Sequence, residues 1–341
     1  MKLIATPVLV LFDDTGGATL KRGTTLVRLN APFQAKACID ILQAFKAPGL
    51  DPETFLAKLD PAAAEAVSGL IEQMKMARFL VPDTVDLDDP ETVFWMDYGQ
   101  SRTAIEDGAT RLHLTMVGRN HLTERVAKAL TAAGLTIDQW IDDPKLRGPA
   151  IQTLAPAPWR EISSLDVPDA EDGTLSLLVA ATDIGAETHL RPWNEFCVDN
   201  RLNFLPISLK DNKIAMGPYV RPFENACLEC TRGRINANVM TLDRDDEEYR
   251  PEVPHAFGWH PMLLDTAASL ATAEILRQAV GALPAMRPDH IVADPIGTGT
   301  VTRHGVLRLP RCPVCSPIKR HSAPMVVDSE DRNAALINEY R

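Results

Sequence analysis

Four of the six cysteines fall into two short pairs, Cys227-Leu-Glu-Cys230 and Cys312-Pro-Val-Cys315, and this spacing restricts the fold more than any other feature. Each pair presents two thiolates from one tight turn, and two such turns complete a tetrahedral sulfur shell of the kind that binds zinc. Four protein ligands leave no open coordination position, so the expected metal is structural and does not activate water. The 81 intervening residues mean that the site ties the C-terminal segment back to the middle of the chain. A redox dithiol is the competing use of such a spacing, but it more often stands as one Cys-x-x-Cys near a helix N-terminus. Cys38 and Cys197 sit among apolar neighbours and are expected in the core.

The metal reading depends on compartment. The apolar run at the start is interrupted by Pro7 and followed at once by Asp13-Asp14, with no small-residue cleavage site, so no secretory signal is read there. No apolar stretch approaches the roughly 18 residues of a membrane span. A cytoplasmic protein is expected, in which cysteines stay reduced and paired spacings read as metal ligands before disulfides. The formal net charge of −11 argues against a non-specific hold on nucleic acid or on an anionic membrane.

The 341 residues suffice for two domains. In residues 1–82, Leu3–Phe12, Ala18–Leu20 and Thr24–Leu29 read as a small antiparallel sheet of three strands, with turns at Gly16-Gly17 and Arg22-Gly23. Helical spacing follows over Pro32–Phe45. Asp51 before Pro52 and Asp60 before Pro61 are N-cap signals for two more helices, the second reaching Ala77. Phe79-Leu80-Val81 returns as a strand. This order suggests a winged-helix-like module. Residues 83–110, acidic and then aromatic, read as a linker.

From residue 111 strands and helices alternate, as in an α/β domain with a mostly parallel sheet. Leu112–Val117 is a strand, Leu122–Ala133 an amphipathic helix closed by Gly134, and Leu135–Ile141 the next strand. Leu175–Ala181 is a continuous apolar run of the kind buried in parallel sheets. Thr188–Asn200 is read as helix, Leu202–Ser208 as strand and Leu263–Val280 as a long helix. The domain is expected to end near 320, leaving 321–341 as a tail.

Four stretches of this second part resemble the ThiF/MoeB and ubiquitin-activating superfamily of adenylating proteins: the strand-turn-helix Leu112–Ala133, the strand ending in Thr182-Asp183, the two cysteine knuckles, and the helix behind His260-Pro261-Met262. The resemblance implies a Rossmann-type ThiF-like domain with a four-cysteine zinc site. It also implies where nucleotide binding, if it survives, would fall: Gly118 at the phosphate turn, Asp142 on the ribose, Asp183 on magnesium, with Lys145 and Arg147 as a loose match to the triphosphate clamp. The turn departs from that pattern. Gly118-Arg119-Asn120-His121-Leu122-Thr123-Glu124 keeps one glycine, bulky side chains fill the rest, and Glu124 brings negative charge. ATP chemistry is therefore expected to be lost, and no cysteine reads as a thioester nucleophile. His121 is expected to be a solvated turn residue.

A degenerate adenylating-type domain behind a winged-helix-like module resembles the leader-peptide-binding partners in thiazole/oxazole-modified peptide (azole bacteriocin) biosynthesis. That resemblance implies a non-catalytic scaffold, homodimeric, which binds a precursor leader by strand addition and presents it to a YcaO-type cyclodehydratase. The residues expected to bind the peptide are Thr25, Leu26, Val27 and Arg28 on the candidate edge strand, with Leu70, Met74 and Phe79 opposite. Lys21, Arg22, Arg28, Lys75 and Arg78 form a basic set suited to acidic leader side chains. The alternatives are an active adenylating enzyme using Gly118, Asp142 and Asp183, and a winged-helix transcription factor, against which the net charge stands.

Overall fold

A computed structural model describes residues 1–167, 173–185, 187–210, 212–238, 258–281 and 287–316. The expected tail, 321–341, lies outside them. The chain divides into two compact units. One is residues 1–108 with 280 and 281, and the other begins at Ala109.

The first unit contains a three-stranded antiparallel sheet, β2 (Leu9–Phe12), β3 (Ala18–Arg22) and β4 (Thr25–Leu29), with β3 central. The first strand read from the sequence breaks in two. β1 (Leu3–Ala5) leaves this sheet and pairs antiparallel with β5 (Leu80–Pro82). Pro7, which cannot donate to a ladder, stands between β1 and β2. Helices α1 (Pro32–Ala44), α2 (Pro52–Leu56) and α3 (Pro61–Met76) form where the sequence places them. The Asp51 carboxylate accepts from the Thr54 N–H, and that of Asp60 from the Ala63 N–H, so α2 and α3 each start with an otherwise orphaned donor satisfied. Leu3, Leu20, Cys38, Ile41, Phe45, Ile71, Met74, Phe79 and Leu80 make one buried core. Burial of each large side chain contributes about 1.5–3 kcal/mol.

Residues 83–110, expected to be a linker, are largely helical: α4 (Pro90–Asp97) and α5 (Arg102–Thr110). The Asp89 carboxylate caps α4 through the Glu91 and Thr92 N–H groups, with Pro90 at its first position. That is the same local signal that opens α2 and α3. Acidic composition concealed it.

The second unit is built on an eight-stranded sheet whose spatial order is β13-β12-β11-β10-β9-β6-β7-β8. Its strands are β6 (Leu112–Val117), β7 (Gln139–Asp142), β8 (Trp159–Glu161), β9 (Leu175–Thr182), β10 (Asn203–Lys210), β11 (Lys213–Met216), β12 (His290–Asp294) and β13 (Thr300–His304). β10, β9, β6, β7 and β8 are parallel, and β11 to β13 add an antiparallel flank. The chain runs from β6 outward to β7 and β8, then crosses to β9 on the other side. The strand order therefore reverses between β6 and β9, the position where open α/β sheets form a crevice at their carboxyl ends. α6 (His121–Ala132), α7 (Arg191–Asp199), α8 (Leu228–Asn238) and α9 (Pro261–Ile275) complete the unit. α6 packs on α9. The long C-terminal helix read from the sequence ends as a π-helical turn over Leu276–Val280. Cys38 and Cys197 are core residues, as expected. No helix among the described residues is long and apolar enough to cross a membrane.

Candidate functional site

The two cysteine pairs meet. Cys227 precedes α8 and Cys230 lies in its first turn, while Cys312 and Cys315 sit on the loop after β13. All four are buried, and their sulfurs lie within 4.8 Å of one another. The Sγ separations are 3.9 Å (Cys227–Cys230), 3.6 Å (Cys227–Cys312) and 3.4 Å (Cys230–Cys315). Tetrahedral zinc with bonds of about 2.3 Å requires sulfur pairs about 3.8 Å apart, and disulfides require about 2 Å. The donor set thus fits a metal and no disulfide forms. Cys230, Cys312 and Cys315 are each pulled down to about 7, first by the hydrogen bond from Cys227, whose own thiol is pushed up in turn. The Leu309 N–H also points at the Cys230 sulfur at 3.4 Å, which favours its thiolate form. Arg234 and Arg308 fasten the loop by donating to Leu307 O and Phe223 O.

The crevice between β6 and β9 holds the second group. Gly118 follows β6 with φ +101°, and a Cβ there would stand 2.5 Å from Ala181 O. The close approach of this turn to β9 accounts for the glycine without reference to any ligand. Asn120, to which the sequence assigns no role, is fully buried and uses its whole amide. Nδ2 donates to Leu146 O and Ala181 O, and Oδ1 accepts from the Thr123 N–H and hydroxyl. It is the N-cap of α6, a role that its place three residues before Thr123 could have signalled.

Asp183 directly follows β9, beside the same helix terminus. Its Oδ2 accepts the His121 N–H at 3.1 Å, and the Leu122 N–H also faces the carboxylate. Its Oδ1 is buried with no partner among the described residues. Burial pushes the carboxyl up to about 6, against the helix N–H groups that lower it. Two first-turn donors of α6 are consequently taken by protein acceptors: the His121 N–H by Asp183 and the Thr123 N–H by Asn120. His121 is not a solvated turn residue. Its ring is mostly covered, lies 3.7 Å from Glu124 Oε2 and 3.1 Å from the Thr153 hydroxyl, and packs against Trp259. Only the folded crevice brings Thr153 and Trp259 to it.

Asp142, at the end of β7, is 11% exposed and holds Arg147 through two hydrogen bonds of 2.8 and 3.0 Å; Arg119 approaches to 3.6 Å. Lys145 donates its backbone N–H to the Asp143 carboxylate. A cavity of about 480 Å³ opens here, lined by Arg119, Asp142, Arg147, Trp159, Arg160 and Ser163.

The peptide-binding candidates separate by register. β4 is an edge strand, as expected. Thr25 pairs with Arg22, Val27 with Leu20 and Leu29 with Ala18, so these residues face the helices and are half-buried. Leu26 and Arg28 point to the opposite, outer face with Lys21, Leu9 and Leu11. Leu26 therefore does not line a groove against a helix, because alternate strand residues face opposite ways. Leu70 lies half-buried at the core's margin, but Met74 and Phe79 belong to the core itself. Of the expected basic set, Lys75 pairs with Glu72, while Arg22 and Arg78 turn inward.

No protein-family model matches the sequence, and no curated protein does. Solved structures match nearly its whole length. Escherichia coli MccB with AMPCPP and MccA superposes with TM-score 0.62 at 16% identity, over 93% of this chain and 100% of that one. The microcin C7 biosynthetic enzyme MccB in complex with N-formylated MccA gives 0.66 at 15%, over the same shares. The chain has the MccB fold. The heterocyclase TruD matches at TM-score 0.59 and 17% identity over 97% of this chain, which spans 47% of TruD.

Proposed function

We propose that the chain is a recognition and scaffold subunit of a ribosomal-peptide modification system, in which the first unit takes the leader of a precursor peptide by strand addition along β4. The edge of β4, which pairs with no strand but β3 among the described residues, carries this reading. Its main-chain groups there could take a further strand, and the helix-side row Thr25, Val27 and Leu29, with Val67 and Leu70 of α3, offers half-buried surface for alternate leader side chains. The complexes of MccB with MccA support it, since an MccB-like fold there holds a peptide. The match to TruD supports a place beside a cyclodehydratase, and a YcaO-type partner is the one we propose. Holding the leader would let the core peptide return repeatedly to that partner's active site by effective concentration.

The second unit acts in this reading as a scaffold without ATP chemistry. Asp183 and Asn120 occupy the helix terminus that would receive phosphate, and Arg147 covers both oxygens of Asp142. The four cysteines would hold one structural zinc, whose chemistry is to fix the 309–316 loop against α8. An adenylating enzyme is the second reading, because MccB is found with AMPCPP and with ATP and the arginine-lined cavity lies beside Asp142.

Titration of the zinc-loaded protein with labelled ATP–magnesium, and separately with the leader of a small precursor encoded beside its gene, distinguishes them. Leader binding without nucleotide binding is expected. ATP binding that disappears in Asp183→Ala would replace the scaffold with a working adenylating enzyme.

A further inference from the structure

Arg22 is 7% exposed, and none of its guanidinium nitrogens has an aligned acceptor among the described residues. Its charge partner is the Asp97 carboxylate, 2.6 Å from Nη1 but off the N–H direction. A buried guanidinium ordinarily meets a carboxylate through two parallel hydrogen bonds, and leaving those donors unmatched is costly. The pair is thus a poor fit on its arginine side.

Its surroundings concern the end of β4. Arg22 closes β3 directly opposite Thr25, on the face turned to the helices. Arg78, at the end of α3, donates to Met96 O and Asp97 O. Two arginines therefore grip the C-terminal turn of α4, where the helix's partial negative charge and the Asp97 carboxylate coincide. Asp97 itself is one-third exposed, and Gly99 with φ +82° follows it. Its release requires the end of α4 beyond Trp95, including the buried Met96, to loosen. A strand added to β4 would lie two strand spacings, about 10 Å, from β3. The peptide residue opposite Thr25 then has its side chain on the Arg22 face, within the combined reach of an arginine and a glutamate.

We propose that Arg22 is a carboxylate-binding subsite for an acidic side chain of the leader, and that Asp97 is the internal anion the leader displaces. This rests on the strand-addition reading above and names the chemistry selected at one end of the strand. Because Asp97 is tethered, it competes at a high effective concentration. Only a peptide that supplies both the strand and a well-aligned carboxylate replaces it, so such a leader is favoured over a neutral extended segment.

The test uses the full-length protein and the synthetic leader of the adjacent precursor, as native peptide and with each Asp or Glu changed singly to its amide. One amide change should weaken binding about tenfold, and Asp97→Asn should tighten the native leader about tenfold, the size of one charge-assisted contact. In the double variant Arg22→Gln/Asp97→Asn, that amide peptide and the native leader should bind alike. Leader binding should also speed amide exchange over residues 96–99 in the wild type. A leader that binds with no such acidic position, or whose affinity is unchanged by Asp97→Asn, overturns the subsite and leaves strand addition standing. A leader that does not bind at all removes both. Should the double variant not fold, the Asp97→Asn titration alone decides.

Discussion

Replacing Asp183 by Asn tests the claim that this carboxylate closes the α6 terminus at a cost to stability. Burial raises its pKa from 3.8 to about 6, so the folded chain holds a proton that the unfolded chain releases between those values. Below about pH 4 both states are protonated and the group contributes nothing. As pH rises to about 6 the folded state loses ground, and above that the full cost persists. At about 1.4 kcal/mol for each pH unit separating the two values, that cost is about 3 kcal/mol. Asparagine imitates the protonated acid and keeps an oxygen for the His121 N–H. Asp183→Asn should therefore unfold at higher denaturant at about pH 7.5, by up to about 3 kcal/mol, and match the wild type near pH 4. Urea unfolding followed by tryptophan fluorescence, with both proteins compared at each pH, provides the measurement. A variant less stable at pH 7.5 would refute the reasoning, because the ionised carboxylate would then be a net stabilising partner of the helix terminus.

The remaining predictions concern other parts of the chain. Cys312→Ser should abolish metal retention, seen by elemental analysis as loss of one zinc per chain, and should expose residues 307–316 to protease; unchanged zinc would exclude the four-sulfur site. Asp60→Ala removes the N-cap of α3 and should lower stability by about 1 kcal/mol in a thermal melt. Val27→Lys, on the helix side of β4, should weaken leader binding more than Leu26→Lys on the outer face, and equal losses in a titration would contradict the register argument.

Sequence was sufficient wherever the deciding interaction is local. Asp51, Asp60 and Asp89 each bond to an N–H two or three residues on, so three helix starts are written within a few residues, although the acidity of 83–110 hid the third. The paired cysteine spacing likewise announced the four-sulfur cluster, because tight Cys-x-x-Cys turns prescribe their own geometry. The continuous apolar run of β9 announced a buried parallel strand, and the alternation after residue 111 announced the sheet.

Only the tertiary structure decided what depends on partners far along the chain. β1 pairs with β5 across nearly eighty residues, so its hydrogen bonds could not be assigned from its own composition. The faces of β4 became clear only from its register with β3, which turned Leu26 outward and Arg22 inward. Arg22 reads as a turn residue of the basic set and His121 as a solvated turn residue, until Asp97 in one case, and Thr153 and Trp259 in the other, meet them in the fold. Gly118 reads as a remnant of a phosphate turn, yet its neighbour Ala181 O accounts for it. Desolvation is a property of everything packed around a group, and residue order alone does not carry it.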